Sequence, residues 1–132
     1  MDTGRVLVEW LESLCAVDSR TVAGAAGATR VAELLGERLR ALGFALEWVD
    51  AAGAVPPRGR HLKAVRNPEA AVRLLLLGHA DTVLSPAEVR FRVDHAEGRV
   101  YGSGVCDMKG GCVVLLEALR QALEEDARFR DA

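Results

Sequence analysis

A run of six mostly apolar residues, 72–77, ends abruptly in the segment Gly78-His79-Ala80-Asp81. Short apolar runs bounded by a break are typical of buried β-strands. In open α/β sheets, the side chains that bind ligands follow the carboxyl ends of such strands. Because residues i and i+2 of an extended backbone point to the same side, the sequence predicts that His79 and Asp81 face one site.

Three segments have the apolar spacing of amphipathic helices. The second helix is predicted to follow the glycine-bearing segment 24–28, which we interpret as a loop, with Thr29 as its N-cap and Gly43 as its C′ residue. The third is predicted to follow Gly111. The apolar stripes of the three helices are Leu7, Trp10, Leu11 and Leu14; Val31, Leu34, Leu35, Leu39 and Leu42; and Cys112, Leu115, Leu116, Leu119 and Leu123.

The remaining elements are predicted to be strands and turns. Apolar and polar side chains alternate along 44–49, which predicts a strand. Further strands are predicted at 61–65 and, as the two arms of a hairpin, at 91–93 and 99–101. Glycines and prolines predict a turn or loop at 51–60. The order of elements predicts an α/β fold in which a mixed β-sheet has helices packed on it.

Composition and charge exclude several classes of function. The chain has 132 residues, of which 50% are hydrophobic and 27% charged, with a formal net charge of −2. This lack of a basic excess argues against nucleic acid and membrane surfaces as partners. No apolar run approaches the ~20 residues of a membrane span, and no signal peptide is visible, so we predict a cytoplasmic protein. The odd number of cysteines, three, argues against a disulfide framework.

The polar residues in segments 78–83 and 102–111 are suited to binding metal ions. Zinc sites use imidazole nitrogen and carboxylate oxygen, and His79 is the natural nitrogen ligand. Asp81 is better suited to hold the tautomer of a ligand histidine from outside the metal's own ligand set. Asp107 has two carboxylate oxygens and could bridge two metal ions about 3.5–4 Å apart. The glycines at 102, 104, 110 and 111 would let the backbone approach metal and substrate closely.

Each of these residues also has an ordinary interpretation. A lone histidine at a strand end is more often a hydrogen-bonded structural residue, and a lone aspartate before two glycines is usually a turn or a helix cap. The segment 102–104 with Lys109 could be a phosphate loop, but neither the dinucleotide nor the Walker spacing is met. Cys106 could be a nucleophile, although a small buried thiol is the preferred interpretation. His61 and His95 are interpreted as structural or exposed.

Taken together, the two polar segments resemble the paired signature of a metallopeptidase family. The first is Gly78-His79-Ala80-Asp81-Thr82-Val83, and the second is Gly102-Ser103-Gly104-Val105-Cys106-Asp107-Met108-Lys109-Gly110-Gly111. Members of that family include aminoacylase, acetylornithine deacetylase, succinyl-diaminopimelate desuccinylase and glutamate carboxypeptidase of the carboxypeptidase G type. Residues 91–93 and 98–102 are most similar to the carboxypeptidase G branch.

The resemblance implies a zinc-peptidase catalytic domain, a phosphorylase/hydrolase-like sandwich that hydrolyses an amide bond in a peptide or an N-acyl amino acid. By that resemblance, His79 is a ligand of one metal ion, Asp107 bridges two zinc ions, and Asp81 supports catalysis. Co²⁺ or Mn²⁺ are the expected substitutes for zinc. In such enzymes zinc-bound water attacks the carbonyl and a glutamate is the general base. The resemblance also leads us to expect a strained or cis peptide bond between Asp107 and Met108.

The family's general-base glutamate and its later metal ligands have no counterpart in this sequence. Glu124-Glu125 lies at the end of the predicted third helix and is interpreted as a solvated helix end. Residues 1–132 are therefore expected to be the N-terminal part of the catalytic domain, without the remaining catalytic segment and the lid or dimerisation domain.

Two classes of function stay open. The first is a metallo-carboxypeptidase or amidohydrolase of the glutamate carboxypeptidase type, inactive as this fragment. The second is a non-catalytic binding or assembly module that needs a partner chain. An incomplete sheet exposes unpaired backbone and an apolar face, so we also expect self-association, as a homodimer.

Overall fold

A computed structural model describes residues 3–51, 59–125 and 129 of the chain. The helices and small antiparallel sheets that it contains confirm the predicted α/β class. None of the described helices combines the length and apolar character that a membrane span needs. In chain order the elements are α1 (Thr3–Cys15), a 3-10 turn (Thr21–Ala23), α2 (Ala25–Ala41), β1 (Ala45–Asp50), β2 (Arg60–Val65), β3 (Arg92–Asp94), β4 (Arg99–Tyr101) and α3 (Lys109–Glu125).

The core lies where the three helices meet. Leu14 and Val31 are fully buried, and Leu11 and Val113 are nearly so. Leu11 and Leu14 are three residues apart, which places both on the inner face of α1. The apolar stripe predicted for the first helix is therefore confirmed, and it packs against α3.

The start of α2 differs from the prediction. The helix begins at Ala25 with Gly24 as its N-cap, so the predicted loop at 24–28 and the N-cap at Thr29 are wrong. The physical reason lies at Gly27, because a Cβ there would stand 1.9 Å from the carbonyl oxygen of Asp18. Glycine at this position allows the helix to pack closely on the preceding segment and does not break it.

The end of α2 is as predicted. Gly43 has a φ of +86°, a left-handed conformation that glycine adopts without a Cβ clash. Its N–H donates to the carbonyl oxygen of Arg40, and the N–H of Phe44 donates to that of Leu39. These two hydrogen bonds form a Schellman motif, which stops the helix and leads directly into β1.

The strands form two antiparallel pairs. β1 pairs with β2, from Ala45 opposite Val65 to Asp50 opposite Arg60, and β3 pairs with β4 as the predicted hairpin. Leu46 and Leu62, on β1 and β2, lie against Gly36 of α2, where the missing side chain leaves room for them. Most of the turn predicted at 51–60 lies outside the described residues.

The strand predicted at 72–77 is not formed. This segment has no strand partner among the described residues, and its side chains are exposed, with Val72 at 84% and Leu75 at 78%. A strand is stabilised by backbone hydrogen bonds to a neighbour, and the described strands of each pair bond only to each other. The apolar run instead borders an open cavity of about 640 Å³, together with side chains of α2, β2 and α3.

Candidate functional site

The ring of His79 lies between two aspartates. Its Nε2 is 2.8 Å from Oδ1 of Asp107. Its Nδ1 is 3.0 Å from the backbone oxygen of Asp81 and 3.3 Å from the Oδ1 atom of the same residue. The structure therefore brings together the three residues that the sequence singled out, and it places the two aspartates at opposite edges of the imidazole.

Two loops present these side chains. His79 and Asp81 belong to the extended segment that follows residues 72–77, and the parallel bridge between Thr82 and Arg20 holds the end of that segment. Asp107 belongs to the turns that precede α3. The peptide bond between Asp107 and Met108 is cis, in agreement with the expectation from the resemblance.

Lys109 anchors the loop that carries Asp107. Its side chain is fully buried, and its Nζ donates to the carbonyl oxygen of Val17, just beyond α1, at 2.9 Å. Burial lowers the pKa of Lys109, and the Cys15 thiol, when it is ionised, and the Asp18 carboxylate oppose that shift. Since the ammonium group is used inside the protein, it is not available as the phosphate-binding lysine of a phosphate loop.

A close approach of backbone to the Lys109 stem explains one of the glycines. Gly104 has a φ of +81°, and a Cβ there would stand 2.8 Å from both Cδ of Lys109 and Cγ2 of Thr82. Thr82 directly follows Asp81, so this contact packs the loop of Asp107 against the segment of Asp81. Glycine at 104 thus brings the two halves of the site together.

The electrostatics of His79 follow from its neighbours. Burial lowers its pKa, but hydrogen bonds to Asp107 and Asp81, with their negative charges, outweigh this effect and raise the pKa above its ordinary value. The site remains open to solvent, because the side chain of His79 is 43% exposed and that of Asp107 is 75% exposed. An imidazole and a carboxylate are thus accessible to a ligand from outside.

Thr21 is a site residue that sequence reasoning missed. Its hydroxyl donates to Oδ2 of Asp81 at 2.8 Å, from the 3-10 turn between α1 and α2. The two residues are 60 positions apart in the chain. No motif or periodicity marks Thr21, so only the folded arrangement reveals the contact.

The other candidate carboxylates lie away from His79. Glu124 pairs with Arg120 on the surface of α3, and Glu125 is exposed at the last position of that helix. The interpretation of Glu124-Glu125 as a solvated helix end is therefore confirmed. His61 and His95 are exposed, as expected.

Cys106 departs from the sequence interpretation. It was expected to be a buried thiol, but it is exposed, because it lies in the surface turns before α3. The buried thiols are those of Cys15 and Cys112, and burial raises the pKa of both. The pKa of Cys15 is raised to about 11, so this thiol stays protonated at neutral pH.

The donor atoms of the site suit part of a metal centre. Nε2 of His79 and Oδ1 of Asp107 lie next to each other, and imidazole with carboxylate is a typical zinc donor set. Asp81 faces the opposite ring nitrogen and does not point to the same place. Consistent with this, the described part of the chain contains no group of three or more His, Cys, Asp or Glu side chains arranged to hold one ion.

Comparison with known proteins gives relatives with two different names. The chain is 35% identical over 99 residues to succinyl-diaminopimelate desuccinylase of Variovorax paradoxus (strain S110), covering 69% of this chain and 25% of that protein. It is 37% identical over 100 residues to the enzyme of the same name from Delftia acidovorans (strain DSM 14801 / SPH-1), covering 70% and 26%. It is 33% identical over 118 residues to acetylornithine deacetylase of Vibrio campbellii (strain ATCC BAA-1116), covering 86% and 30%.

These matches also show how much of each relative the chain covers. It spans between 25% and 30% of the length of these three relatives. The model of the family described as "Peptidase family M20/M25/M40" matches residues 75–131, a range that includes His79, Asp81 and Asp107. The family model covers the site residues and the relatives extend the similarity over most of the sequence, so residues 75–131 of this chain match the M20/M25/M40 peptidase family.

Proposed function

We propose that this chain supplies part of the metal site of an amide hydrolase, in which His79 and Asp107 bind divalent metal and Asp81 positions the imidazole. The observation that carries the proposal is the arrangement of the ring, with Nε2 at 2.8 Å from Asp107 and Nδ1 at 3.0 Å from the backbone oxygen of Asp81. A ligand histidine needs one ring nitrogen for the metal and a hydrogen-bond acceptor at the other. Both conditions can be met at this ring.

The residues of the chain have distinct parts in this site. The backbone oxygen of Asp81 accepts the proton of Nδ1, and a metal ion would replace the proton that Nε2 donates to Asp107. Asp107 offers two oxygens and is the residue suited to bridge two ions. Zinc is the proposed metal, and when bound it would lower the pKa of water toward ~7 and polarise the substrate carbonyl.

The proposed substrate class is an N-acyl amino acid or a peptide with an amide bond that can be hydrolysed. Two of the relatives described above are named for removing a succinyl group and one for removing an acetyl group. A glutamate carboxypeptidase specificity is the narrower form of the same proposal. It rests on the similarity of residues 91–93 and 98–102 to that branch.

A second function, a non-catalytic binding or assembly module, is favoured by a different observation. The described residues place two metal-binding atoms side by side, Nε2 of His79 and Oδ1 of Asp107. Zinc sites usually have three or four protein ligands. In the part of the chain that the structure describes, Glu124 pairs with Arg120 on the surface of α3 and is not placed as a general base beside His79. We infer that this chain by itself binds zinc weakly and does not hydrolyse acyl amino acids.

Metal titration of the variants His79→Ala, Asp81→Asn and His95→Ala tests the proposal. Calorimetry should show weak zinc binding by the parent chain, a loss of it in His79→Ala and no change in His95→Ala, an exposed histidine away from the site. In the longer protein, Asp81→Asn should retain most of the metal and lose about 10–100-fold in turnover. His79→Ala should lose one metal ion as well.

Two outcomes would contradict these roles. If Asp81→Asn emptied the site while His79→Ala did not, the roles of the two residues would be reversed. If the longer protein hydrolysed N-succinyl and N-acetyl amino acids equally well with and without a chelator, the proposed metal dependence would be wrong.

A further inference from the structure

We propose that Thr21 is a positioning residue of this site, which acts on His79 through the carboxylate of Asp81. The inference rests on the proposed function, because it assigns a further residue to the same centre. The Thr21 hydroxyl donates to Oδ2 of Asp81 at 2.8 Å, while Oδ1 of the same carboxylate is 3.3 Å from Nδ1 of His79. One carboxylate therefore connects the hydroxyl with the ring.

The segment that carries Thr21 is docked along the segment that carries Asp81. The N–H of Thr82 donates to the carbonyl oxygen of Ser19 at 3.0 Å, and Arg20 and Thr82 form a parallel bridge. The hydroxyl groups of Ser19 and Thr82 are 3.3 Å apart, and both residues are buried. These contacts fix the neighbours of Thr21 to the neighbours of Asp81.

Charged side chains also hold Arg20, the residue directly before Thr21. The guanidinium of Arg20 pairs with Asp18 at 2.6 Å and lies 3.7 Å from Glu88. Glu88 in turn accepts hydrogen bonds from the N–H and the hydroxyl of Ser85. Because the residues directly before Thr21 are held in this way, its hydroxyl reaches Asp81 from a defined position.

The effect on Asp81 follows from its exposure. Its side chain is 47% exposed, so packing alone does not select one orientation of the carboxylate. A hydrogen bond to Oδ2 selects the orientation in which Oδ1 faces the ring of His79. Thr21 thus stabilises the orientation of Asp81 that suits Nδ1 of His79, without touching either the ring or Asp107 in the described hydrogen bonds.

Three variants of the chain separate this role from general packing. Thr21→Val removes the hydroxyl and keeps the shape, Thr21→Ser keeps the hydroxyl, and Thr29→Val makes the same change within α2. Thr21 is exposed, so none of the changes at this position creates a cavity in the core. Each variant is examined by nitrogen-15 NMR of the His79 ring without metal and by calorimetric titration with Zn²⁺.

Thr21→Val should shift the ring nitrogen resonances of His79 and weaken zinc binding by about 3- to 10-fold, a smaller effect than that of a direct partner of the ring. Thr21→Ser and Thr29→Val should match the parent chain in both measurements. Unchanged resonances and unchanged affinity in Thr21→Val would overturn the inference, and so would equal losses in Thr21→Val and Thr21→Ser.

The two proposals fail in different ways. If His79→Ala left zinc binding intact, the proposed metal role would be wrong, and the metal-free NMR comparison would still test Thr21. If His79→Ala abolished zinc binding while Thr21→Val matched the parent chain in both measurements, only the inference on Thr21 would be wrong.

Discussion

Lys109, the first residue of α3, makes two contributions to stability that substitution can separate. Its ammonium group donates to the carbonyl oxygen of Val17, and its methylene stem is buried beside Gly104. Lys109→Met removes the ammonium group and keeps a stem of similar length, whereas Lys109→Ala removes both. The difference between the two variants therefore measures the packing of the stem.

The polar contribution is small because two effects oppose each other. A Val17 carbonyl oxygen without its donor costs about 1–3 kcal/mol, but the variant no longer buries an ammonium group, which is itself unfavourable. We expect Lys109→Met to lower the free energy of unfolding by about 1 kcal/mol. Lys109→Ala loses in addition three buried methylene groups at about 0.8 kcal/mol each and leaves a cavity, so we expect a loss of about 3–4 kcal/mol.

Urea unfolding at neutral pH, followed by the fluorescence of Trp10 and Trp48, measures both losses. The matched control is Lys63, whose side chain is 58% exposed on β2, where the same substitutions should change the free energy of unfolding by no more than about 0.5 kcal/mol. Equal losses in Lys109→Met and Lys109→Ala would show that the stem does not contribute. A loss in Lys109→Ala no larger than that of Lys63→Ala would contradict the burial of Lys109.

Acid, overpacking and surface charge give three further predictions. Hydrogen bonds from Arg120 and Gln121 hold the pKa of Glu117 at about 2, so its contribution to folding stability is complete above about pH 4.5 and is lost as the pH falls toward 2. The urea midpoints of the parent chain and of Glu117→Gln should therefore converge over this pH range. A constant difference between the two midpoints would contradict the assignment. Gly27→Ala places a methyl group 1.9 Å from the Asp18 carbonyl oxygen, so thermal unfolding should show that the free energy of unfolding falls by about 1–3 kcal/mol. An unchanged midpoint would mean that α2 does not pack against Asp18. Leu75 is 78% exposed, so Leu75→Lys should shift the expected dimer toward monomer in sedimentation velocity, whereas an unchanged dimer would place the interface elsewhere.

The elements that the sequence predicts well are those that satisfy their own hydrogen bonds or pair with a near neighbour. The stripe of α1, the glycine that ends α2 and the hairpin of β3 and β4 depend on spacing within a few residues. The segments around His79 and Asp107 are likewise recognisable, because their residue types and spacing form a specific pair of motifs. Local periodicity and motif spacing are therefore enough to predict the α/β class and to single out His79, Asp81 and Asp107, which the structure brings together.

Tertiary structure decided what depends on groups distant in the chain. The run 72–77 has the composition of a buried strand, but a strand requires a neighbour for its backbone, and the described residues provide none. The sequence around Gly27 has the composition of a loop, but Gly27 lies in α2, where the absence of a Cβ leaves room for the carbonyl oxygen of Asp18. The burial of Lys109 against Val17 and the hydrogen bond from Thr21 to Asp81 join residues 92 and 60 positions apart. Sequence determined which side chains can form the site, and only the packing of distant segments determined which groups hold them in place, because no local pattern encodes a contact over such a separation.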